Sequence, residues 1–340
     1  MLEAPFPYFG GKTAISDRVW AALGQPEHYI EPFFGSGAVL LRRPGWTPDM
    51  TETVNDSDSF LCNVWRAIKY KPDMTATWAD WPVNHDDLRA RRRVLVAHET
   101  YLHDNLVADD MWCDPKLAGY WVWAASCWIG TGLTGLTRPN ARPQLGNKGK
   151  GVHKASMGQI PHLTDKGMGV HKASICKRPH LANKGKGVHK TICGPIHDWF
   201  AELSHRLRRV RVVCGDWRQV CGGDWQDGAW STVGMFFDPP YGVEDRTAAI
   251  YHHDSTSIAR DVEAWVLERG KRTNYRIIVA GYEGEYKGLM ANGWRVVEWS
   301  AMGGYGQTAR GGKKTRGQTN RHRERLFFSP HCAGKGLFDP

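Results

Sequence analysis

Short apolar runs alternate with amphipathic segments along most of this 340-residue chain, and that alternation restricts its fold more than any other feature. His28 to Phe33, Glu52 to Val54, Val210 to Val213, Val233 to Phe237, Arg276 to Ala280, Trp294 to Trp299 and Arg325 to Ser329 read as strands. Between them, Asp58 to Lys69 puts Leu61, Val64, Trp65 and Ile68 on one helical face. Ala38 to Leu41, Leu88 to His103, Lys116 to Trp128, Asp198 to Arg208 and Ser257 to Arg269 read as further helices. Such alternation predicts a mostly parallel sheet covered on both faces, a three-layer α/β architecture. Ligands of these sheets bind outside the carboxyl ends of the strands, so the residues that close each strand are the ones to search.

Charge is distributed unevenly. From Arg138 to His197 there are 12 lysines and arginines against one acid, Asp165, so this segment carries +11 and leaves −1 for the rest of a chain whose net charge is +10. A near-neutral body with one basic insert points to a polyanion, nucleic acid first, because each neutralised phosphate releases counterions. A solubilising surface loop is the alternative. The insert is also repetitive: Gly151-Val152-His153-Lys154, Gly169-Val170-His171-Lys172 and Gly187-Val188-His189-Lys190 recur every 18 residues. A fixed period implies one short unit used three times, either a hairpin-like coil or a duplicated loop. Cys176, His180, Cys193 and His197 have zinc-like spacing, but the first repeat lacks the cysteine. A second basic stretch, Arg310 to Arg325, includes Lys313 and Lys314 and reads as a loop between the two closing strands.

Other classes are excluded by composition. Hydrophobic residues make up 41% and charged residues 24%, unlike a disordered or collagen-like chain. The richest apolar stretch, Leu117 to Leu136, is interrupted by Ser126, Gly130, Thr131 and Gly132, so no membrane span is expected. Met1 to Lys12 lacks the pattern of a signal peptide, and eight cysteines are too sparse for a disulfide scaffold, so a reducing cytosol is expected.

Two strand ends carry the candidate chemistry. Glu31-Pro32-Phe33-Phe34-Gly35-Ser36-Gly37 closes one strand and opens a helical segment, and its glycines let a ligand approach the backbone. Asn55-Asp56 ends the next strand, the usual place for an acid that holds ribose hydroxyls; the alternative for Asp56 is a helix N-cap. Phe236-Phe237-Asp238-Pro239-Pro240-Tyr241 runs an apolar strand into a stiff turn. That turn presents a carboxylate, carbonyl oxygens and an aromatic face at the sheet edge.

With these motifs in this order, the sequence resembles the Dam-type adenine-specific DNA methyltransferases, which use S-adenosylmethionine. The resemblance covers about residues 5–70 and 210–330 and implies a Rossmann-like methyltransferase fold with an inserted DNA-recognition region. Pro7-Tyr8-Phe9-Gly10-Gly11-Lys12 resembles the family's N-terminal cofactor motif, Glu31 to Gly37 its glycine-rich motif, and Asp56 its ribose-binding acid. Asp216-Trp217 resembles the acid and aromatic pair near adenine, where the family more often has Phe. Asp238-Pro239-Pro240-Tyr241 resembles the catalytic motif. The implied cofactor residues are thus Tyr8, Gly11, Lys12, Glu31, Phe33, Gly35, Gly37, Asp56, Asp216 and Trp217, although Lys12 reads equally as a solvated helix-start lysine.

The expected organisation is a cofactor half at 1–72, an inserted target-recognition region at 73–197 with the repeats at 147–197, a catalytic half at 198–330 and a tail at 331–340. Lys154, Lys172, Lys190, Arg310, Lys313 and Lys314 are the expected contacts to double-stranded DNA. The chemistry asks for no metal, and no obligate protein partner is evident. The resemblance places the protein in the cytoplasm of a bacterial or phage-infected cell. Methylation of cytosine's exocyclic amine and a catalytically inactive DNA-binding relative remain as alternatives.

Overall fold

The computed structural model describes residues 2–8, 12–128, 133, 195–222, 230–240, 258–299 and 324–333. These fall into two compact units, one formed by 9–57 with 209–340, the other by 2–8 with 58–208. In chain order the strands are β1 (His28–Glu31), β2 (Glu52–Asp56), β3 (Val210–Cys214), β4 (Val233–Phe237), β5 (Tyr275–Tyr282), β6 (Arg295–Glu298) and β7 (Glu324–Phe328). The helices are α1 (Ser16–Leu23), α2 (Ser59–Tyr70), α3 (Pro72–Ala79), α4 (His85–Ala97), α5 (Glu99–Ala108), α6 (Pro115–Cys127), α7 (Pro195–Leu207), α8 (Arg218–Cys221), α9 (Ile258–Arg269) and α10 (Lys287–Ala291).

In the first unit the seven described strands form one sheet in the order β3-β2-β1-β4-β5-β7-β6. β1 to β5 pair in parallel, and β7 runs antiparallel to both of its neighbours. The five residues of β4 are all buried, as expected of a strand covered on both faces. Ile30, Met235, Phe237, Ile277, Val279 and Phe327 share one face and pack with Val220 of α8, Val262 and Val266 of α9 and Leu289 of α10. On the other face lies α1, where Trp20 meets Tyr29 at 4.7 Å and Leu23 accepts a hydrogen bond from Arg276. Gly234 lets Pro26 and Leu23 close over this face, since a Cβ there would lie 2.6 Å from Pro26. The result is a three-layer, Rossmann-like α/β unit. Strand order reverses direction between β1 and β4, which marks the ligand-binding switch point at their carboxyl ends.

The described residues of the second unit are helical, apart from short connecting segments. Asp58 caps α2 by accepting from the N–H groups of Phe60 and Leu61, Asn84 caps α4 through Asp87, and Asp114 caps α6 through Leu117. Arg66 is buried and donates to the carbonyls of Leu106 and Asp109 at 2.9 and 2.7 Å. Arg91 is enclosed by the rings of Trp81, Tyr120 and Trp123 and donates to the Trp78 carbonyl.

Several sequence expectations need correction. Leu88 to His103 is not one helix: α4 ends at Ala97, α5 begins at Glu99, and the chain turns at His98. Ala38 to Leu41 is replaced by a 3₁₀ turn at Leu40–Arg42. The sequence pattern does not predict α1, α3, α8 or α10. The repeats at 147–194, including Lys154, Lys172 and Lys190, and the basic stretch with Arg310, Lys313 and Lys314 lie outside the described residues. No helix among the described residues is long and apolar enough to cross a membrane.

Candidate functional site

The carboxyl edge of the sheet is built from the ends of β1 to β4 and the turns that follow β1 and β4. Asn55, at the end of β2, is the splice: its side-chain amide donates to the Pro32 carbonyl at 3.0 Å and to the Gly215 carbonyl at 3.1 Å. Its backbone carbonyl accepts from Phe34 N–H at 2.9 Å. One carboxamide therefore fixes the ends of β1, β2 and β3 together. After β1 the chain turns through Gly35 and Gly37, whose φ angles of 49° and 63° suit glycine. A Cβ on Gly37 would sit 2.6 Å from the Phe34 ring.

Asp56 closes this turn rather than capping a helix. Its Oδ2 accepts from Gly35 N–H at 2.8 Å, while Asp58 caps α2. Beside it, Gly215 N–H donates to the Asp56 carbonyl at 2.9 Å and leads into Asp216 and Trp217. Asp216 is exposed and accepts from the backbone N–H and guanidinium of Arg218. Trp217 is buried, with its ring centroid 6.2 Å from Phe33 and 6.0 Å from Phe237. Its indole N–H is buried without an acceptor among the described residues. An aromatic wall, an acid held by a glycine amide and an unsatisfied buried donor suit an adenosine-bearing cofactor.

The second turn follows β4. Asp238 is 22% exposed, and its Oδ2 lies 2.9 Å from the ammonium of Lys12, which is only 5% exposed. The lysine is thus a buried ion-pair partner and not a solvated residue at a helix start. Pro239 is buried and Pro240 half-buried. Glu31 also lies on this face but turns inward, accepting from the Tyr29 hydroxyl at 2.9 Å. Burial first, then the nearby charges of Asp238 and Glu52, push its carboxyl well above the usual range, against the Tyr29 hydrogen bond.

The structure therefore brings Lys12, Glu31, Phe33, Gly35, Gly37, Asp56, Asp216, Trp217, Asp238, Pro239 and Pro240 to one unit, most of them at one sheet edge. Tyr8 belongs to the helical unit, where it stacks edge-on against Phe6. Gly11 and Tyr241 lie outside the described residues. So do Cys176, His180 and Cys193, while His197 faces Asp73 with Nδ1 3.6 Å from Oδ1. Among the described residues no cluster of three metal-ligating side chains occurs.

Sequence reasoning missed Glu324. It opens β7 on the same face as Leu326 and Phe328, and burial raises its carboxyl to about 7, with the Asp238 charge adding and Lys12 opposing. The available signal was an acid at the start of an apolar alternation, Glu324-Arg325-Leu326-Phe327-Phe328.

No curated protein matches the chain. Residues 8–100, which hold Tyr8, Lys12, the Glu31–Gly37 turn and Asn55-Asp56, match the D12 class N6 adenine-specific DNA methyltransferase family, the one that the order of motifs resembles.

Proposed function

We propose that this chain is an S-adenosylmethionine-dependent DNA methyltransferase that modifies the exocyclic amine of adenine in double-stranded DNA. The observation that carries the reading is that one sheet edge, at the topological switch point, holds both a glycine–acid cradle and an Asp-Pro-Pro turn. The family match over residues 8–100 supports the same reaction class.

The cradle residues bind and orient. Asp56 and the Gly35–Gly37 backbone hold the ribose, and Phe33 and Trp217 wall the adenine. When bound, S-adenosylmethionine supplies an electrophilic sulfonium methyl group. Asp238 and the carbonyl of Pro239 accept the two N–H bonds of the target amine, whose lone pair is otherwise delocalised into the base. These acceptors favour a pyramidal nitrogen and stabilise the positive charge that develops on it. Lys12 pairs with the Asp238 carboxylate and holds it in place. A base inside a duplex cannot reach this turn, so it must leave the stack, and Tyr241 offers it a ring to stack on.

The inserted region 73–197 is proposed to recognise the target. Lys154, Lys172 and Lys190 occupy equivalent repeat positions, and with Arg310, Lys313 and Lys314 they are proposed to contact phosphates. Replacing the three repeat lysines with alanine is expected to lower the salt slope of DNA binding by up to about three ion equivalents without changing the preferred site. An unchanged slope would make the repeats bystanders.

The deciding experiment for the function is base-resolution mapping of modified bases in DNA from cells that express the chain. N6-methyladenine in one sequence context is the expected result. Exocyclic cytosine methylation would move the assignment to the other amine, and unmodified DNA would remove the reading.

A further inference from the structure

Among the described residues, three acids and one cation fall on the α1 face of the sheet at its carboxyl edge. The register shows why. Phe237, Val279 and Phe327 are aligned across β4, β5 and β7 and point to the opposite face, so Asp238 and Glu324 both fall on the α1 face, together with Glu31. Lys12 immediately precedes the 3₁₀ turn that leads into α1. Its ammonium touches Asp238 at 2.9 Å and lies 5.8 Å from the centroid of the Trp299 ring. Trp299 is tied to the third acid, because its backbone N–H donates to the Glu324 carbonyl at 3.2 Å.

Glu324 is unusual among the sheet's acids. Its Oε2 is buried without a hydrogen-bond partner among the described residues. Glu52 has Arg43, and Glu31 has the Tyr29 hydroxyl. The neighbouring Arg325 points away and is engaged with Glu283 and Glu298 at 3.4 and 3.1 Å. Among the described residues, the charges that act on the Glu324 carboxyl are those of Lys12 and Asp238. A buried carboxylate oxygen without a partner costs free energy, and the Lys12 ammonium, whose charge acts on this carboxyl, is a group that can relieve it.

We propose that Glu324 is a positioning residue of this site: its carboxylate shares the Lys12 ammonium with Asp238 and so sets how strongly Asp238 is tied up when the target amine arrives. Ionised Glu324 draws the ammonium toward itself and loosens its hold on Asp238, whose oxygens then face the amine. Neutral Glu324 leaves the ammonium on Asp238, as in the arrangement seen here. The inference rests on the proposed methyltransferase reading for its consequence, but the sharing itself is a property of the chain alone.

Two measurements test it. In carbon-13 NMR of protein labelled at its glutamate carboxyls, the Glu324 signal is assigned by its loss in Glu324→Gln. It should titrate near neutral pH, move up by about one pH unit or more in Lys12→Met and move down in Asp238→Asn. An ordinary carboxylate midpoint, or one midpoint in all three proteins, overturns the sharing. The second measurement is single-turnover methyl transfer across neutral pH, with S-adenosylmethionine and DNA saturating. Wild type should show an inflection at the Glu324 midpoint that disappears in Glu324→Gln; the same inflection in both proteins overturns the positioning role. A wild-type protein that transfers no methyl group defeats the functional reading instead, and the NMR measurement still decides whether Lys12 is shared.

Discussion

At the amino edge of the sheet, Arg43 and Glu52 form an ion pair that is sealed: their side chains are 1% and 0% exposed, and Arg43 also donates to the Pro26 carbonyl at 2.6 Å. At the carboxyl edge Lys12 and Asp238 are equally close, yet Asp238 is partly open; the Glu324 carboxyl feels both charges of the pair, and Glu31 feels that of Asp238. The first pair matches one charge to one charge and uses a planar guanidinium whose position is fixed. Among the described residues the second has more acids than cations, and it uses a point charge on a four-carbon stem. One arrangement holds the sheet together; the other is proposed to change its pairing when the target amine arrives. A buried ion pair alone is therefore not the mark of a site in this fold. Surplus charge and access are.

The comparison is broken most severely if the roles are exchanged by mutation. Asp238→Ala should cut methyl transfer by at least about 100-fold to 1,000-fold and leave S-adenosylmethionine affinity near wild type. Labelled-donor kinetics with calorimetry would check both, and wild-type turnover would remove Asp238 from the chemistry. Arg43→Met should do the reverse. It leaves Glu52 buried and unpaired, so chemical denaturation should show a loss of about 3–5 kcal/mol, while the protein that remains folded turns over normally. A smaller effect is expected at the cradle. Asp56→Ala should weaken cofactor binding by about 10-fold to 100-fold, the range of hydrogen bonds to a charged group, without altering the pH profile of transfer.

The smallest effect compares the two edges through pH. Folding raises the Glu324 carboxyl from 4.5 to about 7, so its burden on stability is absent at low pH and builds as pH rises through that window. Glu324→Gln should therefore gain stability over wild type by roughly 1–3 kcal/mol above neutrality, with little gain below about pH 4.5. At the amino edge, burial lowers His28 from 6.5 to about 4, which reverses the sign. Its neutral ring is matched to the fold, and stability is lost as pH falls from 6.5 towards 4. Thermal melts of wild type and Glu324→Gln across pH separate the two contributions.

The parts of this arrangement that were readable in sequence are those written in local chemistry. β4 was legible because a strand covered on both faces must be apolar throughout, and Asp238-Pro239-Pro240 because prolines punctuate its end. Asp56 was legible by its place at the end of β2, although only the structure chose Gly35 over a helix cap as its partner. Leu88, Leu95 and Leu102 kept a helical spacing across His98, and a pattern of apolar side chains does not register a turn that preserves its phase. α3 escaped because it buries the small residues Thr75, Ala76 and Ala79. Glu324 escaped for a different reason. Its meaning comes from β7 entering antiparallel between β5 and β6, which carries it to a lysine more than 300 positions earlier in the chain. No local pattern encodes that neighbour.

The strand order also fixes a sequence of events during synthesis. β1 and β2 leave the ribosome early, but their outer partners β4 and β3 follow only after residues 57–209 have been made. The helical unit, which lies almost wholly within that interval, can be completed first, while the two earliest strands wait with open edges. Closing the sheet then depends on contacts between distant parts of the chain, the slow kind of folding step. A product that stops before Val210 has no acceptor for the second hydrogen bond of the Asn55 amide, one that stops before Asp238 has no carboxylate for Lys12, and one that stops before Glu324 has no rival for it. The carboxyl edge is thus assembled last, from the whole chain, and a truncated translation product cannot carry a finished copy of it.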